Sequence, residues 1–206
     1  MIETPPIVFV VDDDISVRES LELLIRFSGW EPQLLDSAQA FLDQPRPRVP
    51  SCLVLDINLP DLNGLDLQSA IANERPDMPI IFITGYGDIP RTVRAMKAGA
   101  VEFLTKPFDD EVLLRAISEA LDSSRAALER EGDLRALRDA YATLTPREQE
   151  VLSMVVAGRL NKVIASDMGI SEITVKAHRG KVMRKMKARS VADLVKMAAL
   201  LELSVR

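Results

Sequence analysis

Short, mainly apolar runs alternate with helical periodicity along the first 122 residues. Four of these runs are Ile7–Val11, Leu53–Leu55, Ile80–Ile83 and Val101–Leu104. Runs of this kind are typical of strands in a parallel sheet with both faces covered. A fifth, shorter strand is expected around Gln33–Leu35.

Helical patterns lie between and after these runs. The predicted helices are Ser16–Ser28, Ala38–Leu42, a segment marked by Leu65, Leu67 and Ile71, Ile89–Ala98, and Val112–Leu121. This alternation predicts an α/β fold of the doubly wound (βα)5 type. A central parallel five-stranded sheet would carry helices on both faces.

The last part of the chain, residues 144–206, has only helical patterns. Thr145-Pro146-Arg147-Glu148 is a helix-start signature, with a capping Thr, an early Pro and a Glu three residues on. The predicted helices run from Pro146 to about Ala157, from Asn161 to Met168, from Ser171 to about Lys187, and onward from Ser190. The turn between the second and third predicts a helix-turn-helix in a small all-α four-helix domain. The third helix is expected to turn these residues toward a core: Ile173, Val175, Val182, Met183 and Met186.

The segment 123–143 between these parts is helical in pattern and highly charged. The apolar positions change phase after Gly132, so we predict a helical linker with a break there. Self-association of this segment is one interpretation. A solvated linker helix fits at least as well, because polar Ser124 and Glu131 occupy positions that a coiled-coil seam would fill with apolar residues.

Charge separates the two ends of the chain. Residues 1–122 carry 10 basic and 21 acidic residues, a net charge of −11, and residues 144–206 carry 12 basic and 6 acidic, a net charge of +6. The basic end is a candidate for nucleic-acid binding, although chance sorting of solvated faces is the alternative. One cysteine, Cys52, and the lack of a signal-peptide pattern or a long apolar stretch predict a cytoplasmic protein with no membrane association.

Polar residues suited to phosphate chemistry follow four of the strands. Asp12, Asp13, Asp56, Thr84 and Lys106 would meet at one edge of the sheet, because ligands gather at the carboxyl ends of parallel strands. Carboxylates without His or Cys favour Mg²⁺ or Mn²⁺. Asp56 could then attack a phosphoryl group as the nucleophile. Lys106 and Thr84 would bind the oxygens of that phosphoryl group. Each of these residues alone is common at a strand end. Their occurrence together at four strand ends favours a functional site over chance.

Two groups of motifs resemble a known family. VVDDD, LVLDINLPDLNG, FITGYGD and FLTKPF resemble the receiver domain of two-component response regulators. LTPREQEVL, NKVIA, GISEITVKAHR and MRKMKARSVADLVKMA resemble the DNA-binding domain of the NarL/FixJ (LuxR-type) branch. The resemblance implies a receiver at 1–122, a helical linker at 123–143 and a LuxR-type helix-turn-helix domain at 144–206.

The function implied by this resemblance is that of a bacterial transcription regulator switched by phosphorylation. A sensor histidine kinase would phosphorylate Asp56, which would favour a homodimer and binding to promoter DNA, with RNA polymerase as a further partner. The implied Mg²⁺ ligands are Asp12, Asp13, Asp56 and the backbone carbonyl of Asn58. Thr84 and Lys106 would bind the phosphoryl group, Lys106–Pro107 would be cis, and Phe103 would be the switch aromatic.

Further roles are implied for neighbouring positions. Asn58 and Tyr86 would border the path of the hydrolytic water, Tyr86 partly screening the acyl phosphate. The face that responds to phosphorylation would include Arg91, Arg94, Met96 and Lys97. Kinase choice would involve the first helix, at Val17, Ser20, Leu21 and Leu24.

The third helix of the C-terminal part is the expected recognition helix in the major groove. Its groove-facing set would be Thr174, Val175, Lys176, Arg179 and Gly180. Lys176 and Arg179 are candidates for guanine or phosphate contacts, and Asn161 and Lys162 for phosphate contacts. His178 is expected to contact a phosphate or to pack. A merely solvated basic face is the alternative.

Two other classes of function are weighed against this. A phosphohydrolase of the haloacid dehalogenase type would need a second carboxylate two residues after the nucleophile, where this chain has Asn58; we therefore expect no enzyme activity beyond slow self-dephosphorylation. A constitutive DNA-binding dimer with a vestigial receiver is the other alternative, against which the complete acidic set argues.

Overall fold

The computed structural model describes residues 4–85 and 89–203. Five strands form one parallel sheet in the order β2-β1-β3-β4-β5, which confirms the predicted doubly wound fold. The strands are β1 (Ile7–Val11), β2 (Glu31–Leu35), β3 (Ser51–Asp56), β4 (Ile80–Thr84) and β5 (Glu102–Thr105).

Helices follow each strand. In the first part of the chain they are α1 (Ile15–Phe27), α2 (Ala38–Leu42), α3 (Gly64–Ile71), α4 (Ile89–Lys97) and α5 (Asp110–Ala142). In the last part they are α6 (Pro146–Val156), α7 (Asn161–Met168), α8 (Glu172–Lys185) and α9 (Val191–Leu200). These bounds agree with the sequence patterns to within a few residues, α5 excepted.

The sheet is buried on both faces because its strands are apolar at successive positions. Alternate side chains point to opposite faces. Phe9, Leu53 and Phe82 belong to one core, which α2, α3 and α4 cover. Val10 and Val54 belong to the other core, which α1 and α5 cover.

Strand register brings the polar strand ends together. Val11 of β1 pairs with Leu55 of β3. The next residue along each chain segment, Asp12 after Val11 and Asp56 after Leu55, therefore lies at the same edge of the sheet. Thr84 pairs with Thr105, which places Lys106 next to the end of β4.

Helix α5 corrects the prediction of a break in the linker. It is one helix of 33 residues that continues through Gly132. The hydroxyl of Ser124, a residue expected on a solvated or self-associating face, is instead fully buried and accepts a hydrogen bond from the Ser51 amide. A glycine costs only about 1 kcal/mol in a helix, which the helix tolerates because tertiary contacts hold each of its ends.

The chain divides into two compact units between Glu129 and Arg130, inside the segment that the sequence assigns to a linker. The second unit has its own apolar core, to which α6 to α9 contribute. The last turns of α5 join that core through Leu137, Ala140 and Tyr141.

The continuity of α5 predicts the effect of Gly132→Ala. Gly132 is exposed and a Cβ there meets no atom within 4 Å. The variant should gain about 0.5–1 kcal/mol in the free energy of unfolding, because alanine loses less backbone entropy in a helix. Urea unfolding followed by far-UV circular dichroism measures this difference.

Gly169→Ala is the matched control. Gly169 has φ +65° at the end of α7, so alanine there should cost about 1–2 kcal/mol. A loss of stability in Gly132→Ala would contradict a continuous helix.

Candidate functional site

Three acidic side chains meet at the carboxyl edge of the sheet. Asp12 and Asp56 are buried, Asp13 is exposed, and one oxygen from each of the three lies within 4.8 Å of the others. The set has the hard oxygen ligands that a divalent cation such as Mg²⁺ prefers. The structure thus brings together the acidic residues that the sequence singled out.

Lys106 completes this cluster, which we call the acidic pocket: Asp12, Asp13, Asp56 and Lys106. Lys106 Nζ lies 2.5 Å from Asp12 Oδ2 and 3.0 Å from Asp56 Oδ2. Burial raises the pKa of the Asp12 carboxyl, and its hydrogen bond to Lys106 only partly opposes this. Burial acts to lower the pKa of Lys106, but its hydrogen bonds to the two carboxylates outweigh that effect and the pKa is raised. Lys106 therefore stays protonated and can bind an anion.

Backbone amides orient both buried carboxylates. The Asp14 amide donates to Asp12 Oδ1 at 3.0 Å, and the Asn58 amide donates to Asp56 Oδ1 at 3.1 Å. These bonds leave Asp56 Oδ2 facing Lys106. One carboxylate oxygen is thus held by the backbone and the other faces a cation.

The loop after Asp56 is fixed at two further points. A Cβ on Gly64 would lie 2.6 Å from the Asp56 carbonyl oxygen, so this close approach requires glycine. Asp61 accepts hydrogen bonds from the amides of Ala38 and Gln39 at the start of α2, and the Gln39 bond lowers the pKa of the Asp61 carboxyl. Asp61 was not predicted from the sequence, because it lies 22 and 23 residues away from the two amides that it binds.

The remaining predicted pocket residues lie around this cluster. Thr84 is fully buried at the end of β4, and its carbonyl accepts a bond of 2.7 Å from the Lys106 amide. The Lys106–Pro107 peptide is cis, which confirms the expectation. Phe103 is half-buried on β5, with its ring centroid 6.3 Å from that of Phe82.

The role expected of Asn58 beside the hydrolytic water stays a prediction, but the structure shows a contact of its side chain. Asn58 Oδ1 accepts a hydrogen bond from Arg91 Nη1 of α4 at 3.3 Å, a link that the sequence analysis did not foresee. Tyr86 lies outside the described residues, so its screening role stays a prediction.

A groove borders the acidic pocket on the side of α1. It has a volume of about 360 Å³. Its lining residues are Val17, Ser20, Leu21, Leu24, Lys106, Pro107, Phe108 and Asp110. The four α1 residues are those that the sequence analysis associated with a kinase.

In the second unit, α7 and α8 form the predicted helix-turn-helix. Gly169 has φ +65° in the turn, and the Ser171 side chain caps α8 by accepting from the Thr174 amide. Val175 is fully buried in the core, so the expectation that it faces a DNA groove is wrong. Its neighbours Val182 and Met186 lie on the same buried side.

The exposed side of α8 differs from the predicted set. Ile173 was expected in the core, yet it is 80 % exposed. The residues of this side, which we call the α8 outer face, recur at helical spacing. They are Ile173, Lys176, Ala177, Gly180, Lys181 and Arg184. Lys176 and Gly180 belong to the predicted set, whereas Ala177, Lys181 and Arg184 were missed and could have been found from this spacing.

Three other residues that were predicted to contact DNA make hydrogen bonds within the protein. Arg179 Nη1 donates to Asn161 Oδ1 at 2.5 Å, which links α8 to the start of α7. The Thr174 hydroxyl lies 2.8 Å from that of Ser171. Asn161, Thr174 and Arg179 are half-buried, whereas Lys162 is exposed.

His178 is half-buried, and its Nδ1 is buried with no hydrogen-bond partner within residues 4–85 and 89–203. This placement fits the packing alternative for His178.

An ion pair between half-buried Lys185 and buried Glu148 holds the opposite end of α8. Lys185 Nζ lies 2.7 Å from Glu148 Oε2 and donates to the Thr143 carbonyl at 2.8 Å. Glu148 also forms the capping box with Thr145 that the sequence predicted. The hydrogen bond from Lys185, followed by that from the Thr145 amide, lowers the pKa of Glu148 to about 2.

Comparison with known proteins agrees with this two-unit arrangement. The response regulator receiver domain family matches residues 8–118, and the luxR family of bacterial regulatory proteins matches residues 142–198. Nodulation protein W of Bradyrhizobium diazoefficiens is 51% identical over 98% of this chain and 88% of its own length. This chain belongs to the response-regulator family.

Other proteins are similar to this chain over nearly its whole length. The transcriptional regulatory protein FixJ of Rhizobium meliloti is 44% identical over 93% of this response regulator and 94% of its own length. The solved structure of the response regulator StyR has a TM-score of 0.84 at 45% identity, covering 95% of this chain and 99% of that one. The described helices include none long and apolar enough to span a membrane.

The Glu148–Lys185 pair predicts a pH dependence of this response regulator's second unit. The pKa of Glu148 is about 2 in the folded state and 4.5 ordinarily, so its stabilising effect is complete above pH 4.5. It is lost as pH falls from 4.5 through about 2.

Thermal melting of the full chain across this range tests the prediction. Wild type should melt above Glu148→Gln at neutral pH, and the gap should close as the solution is acidified. Glu150→Gln, in an exposed pair with Arg147, should show little gap at any pH. A gap for Glu148→Gln that is constant with pH would contradict the prediction.

Proposed function

We propose that this response regulator is a bacterial transcription regulator whose DNA binding is controlled by phosphorylation of Asp56. The observation that supports it best is the acidic pocket, in which Asp56 presents one carboxylate oxygen to the ammonium group of Lys106. The proposed place of action of this regulator is the cytoplasm, where promoter DNA lies.

The acidic pocket has ligands for Mg²⁺ in Asp12, Asp13, Asp56 and the backbone carbonyl of Asn58. Bound there, the ion would offset negative charge on phosphoryl oxygens. Without such a charge the three carboxylates would repel an incoming phosphoryl group, because Lys106 alone supplies a single positive charge.

Phosphoryl transfer is a displacement at phosphorus. Asp56 Oδ2 forms the new O–P bond as the N–P bond of a kinase phosphohistidine breaks, and the imidazole takes the electron pair. Lys106 then moves its ammonium from the carboxylate to a phosphoryl oxygen. The Thr84 hydroxyl donates to another oxygen, and the space that it leaves lets Phe103 turn inward. Phe103 has no hydroxyl, so it responds by packing alone.

The kinase is proposed to dock in the groove beside α1. Apolar Val17, Leu21 and Leu24 line this groove, which ends at Lys106 and Pro107. A helical partner with an apolar side could therefore bring its histidine next to Asp56.

The proposed output is a homodimer that binds promoter DNA and acts on RNA polymerase. Val93 and Met96 of α4 are each more than 40 % exposed and lie among Arg94 and Lys97, which suits a surface that pairs on activation. A shift from 1:99 to 99:1 would need about 5.5 kcal/mol of differential stability. In the second unit, α8 would enter the major groove.

Asn58 argues against turnover of small phosphate esters. An amide cannot serve as the general acid that a phosphohydrolase of the haloacid dehalogenase type needs there. Slow self-dephosphorylation is the activity that we propose instead.

Phosphorylation itself is tested with acetyl phosphate and Mg²⁺, followed on gels that retard phosphoproteins. Wild type should acquire a phosphoryl group and Asp56→Asn should not, because the attacking oxygen is gone. Asp13→Asn should slow the reaction at least tenfold, because one metal ligand is lost while Asp56 remains.

Glu119→Gln, which changes an exposed carboxylate of α5 outside the acidic pocket, should behave as wild type. Equal labelling of Asp56→Asn and wild type would remove Asp56 as the acceptor.

The consequence for assembly is tested with beryllofluoride, a phosphoryl mimic, and Mg²⁺. Light scattering should show a monomer-to-dimer shift in wild type and none in Asp56→Asn, and affinity for duplex DNA should rise with the dimer. DNA affinity that neither beryllofluoride nor Asp56→Asn alters would instead support a constitutive DNA-binding protein.

A further inference from the structure

An exposed isoleucine lies in the first turn of the proposed recognition helix. Ile173 is 80 % exposed, directly after the cap residue Ser171 and Glu172. Single exposed aliphatic residues are common on protein surfaces. Ile173 differs in its place, because whatever the recognition helix binds would cover its first turn.

Packing within the second unit does not account for this side chain. The core side of α8 is formed by Val175, Val182 and Met186, which are buried. Ile173 lies instead on the α8 outer face, one turn before Ala177. A Cβ on Gly180, the next residue along this face, would meet no atom within 4 Å, so the surface there is open.

The charge around Ile173 indicates the kind of molecule that covers it. Lys176, Lys181 and Arg184 share the α8 outer face, and exposed Lys162 lies on α7. A row of basic groups fits a polyanion better than an apolar protein surface. The covering molecule must therefore combine regularly spaced negative charge with an apolar group that an isoleucine can reach.

Duplex DNA has both features in its major groove. Phosphates line the groove, and the C5-methyl group of thymine is the apolar group that its base edges present. Small residues at 177 and 180 let the helix approach the base edges closely. Lys176, Lys181 and Arg184 can reach phosphates or guanines on either side.

We propose that Ile173, together with Ala177, determines sequence specificity by contacting thymine methyl groups in the major groove. This inference rests on the proposed DNA-binding function. Four residues of α-helix rise about 6 Å, close to two base steps of about 3.4 Å each. The contacts of Ile173 and Ala177 therefore fall within one half-site. The preferred half-site is expected to contain thymine at the base pairs next to the start of α8.

Removal of single methyl groups from DNA tests this contact. The full chain, activated with beryllofluoride and Mg²⁺, selects its preferred sites from a duplex pool with a randomised centre. The selected site is then made with deoxyuridine in place of each thymidine in turn, which deletes only the methyl group. Fluorescence anisotropy measures the Kd of each duplex.

Wild type should bind about fourfold more weakly when one particular thymine of each half-site loses its methyl group, the effect of one buried methyl. At that position, Ile173→Ala should bind the thymidine and deoxyuridine duplexes equally, because Ile173 supplies the contact to that methyl group. Leu200→Ala is the matched control, because Leu200 is also an exposed aliphatic residue but lies on α9. It should keep the wild-type ratio between the two duplexes.

Three results would overturn the inference: selected sites without a required thymine, wild-type binding that tolerates deoxyuridine everywhere, or an unchanged ratio in Ile173→Ala. Each of these leaves the proposed DNA binding intact. Failure to bind or enrich any duplex is a different result, which would overturn the proposed function itself.

Discussion

The bridge from Lys106 to Asp12 and Asp56 is the interaction on which the first unit's chemistry depends. Oxygens of the two buried carboxylates lie within 4.8 Å, where two like charges repel by about 4 kcal/mol at an effective dielectric constant of about 20. The shared ammonium offsets this repulsion, and it can do so only because β1, β3 and β5 end at one edge. Register and strand order thus serve one electrostatic requirement.

The second unit uses charge in the opposite way. Its basic residues are divided between those paired inside the protein and those left facing solvent. Lys185 stabilises the buried Glu148, and Arg179 holds Asn161. Lys176, Lys181 and Arg184 remain exposed on one side of α8. Net charge alone therefore overstates the number of cations that a polyanion can meet.

Much of the first unit could be predicted from the sequence, because a run such as Ile7–Val11 is too short for a helix and ends in residues whose chemistry is recognisable. The side chains that face outward from the second unit were harder to predict. Apolar residues at 173 and 175 cannot both face one core, and only the packed structure shows that Val175 does. Contacts between separate elements, such as Arg91 with Asn58 or Arg179 with Asn161, leave no local pattern. Gly132 looked like a break because the apolar positions change phase there, whereas α5 is one helix that contributes Leu121 to one core and Leu137 to another.

The loop that follows Asp56 is held in place on one side of the acidic pocket. Gly64 packs against the Asp56 carbonyl, and Asp61 holds the start of α2, so this side of the sheet edge cannot shift without a clash or the loss of a helix cap. Thr84 ends β4 and Lys106 follows β5, on the other side of Asp56. A phosphoryl group on Asp56, as proposed, would therefore act on Thr84 and Lys106 rather than on the loop that Gly64 and Asp61 hold.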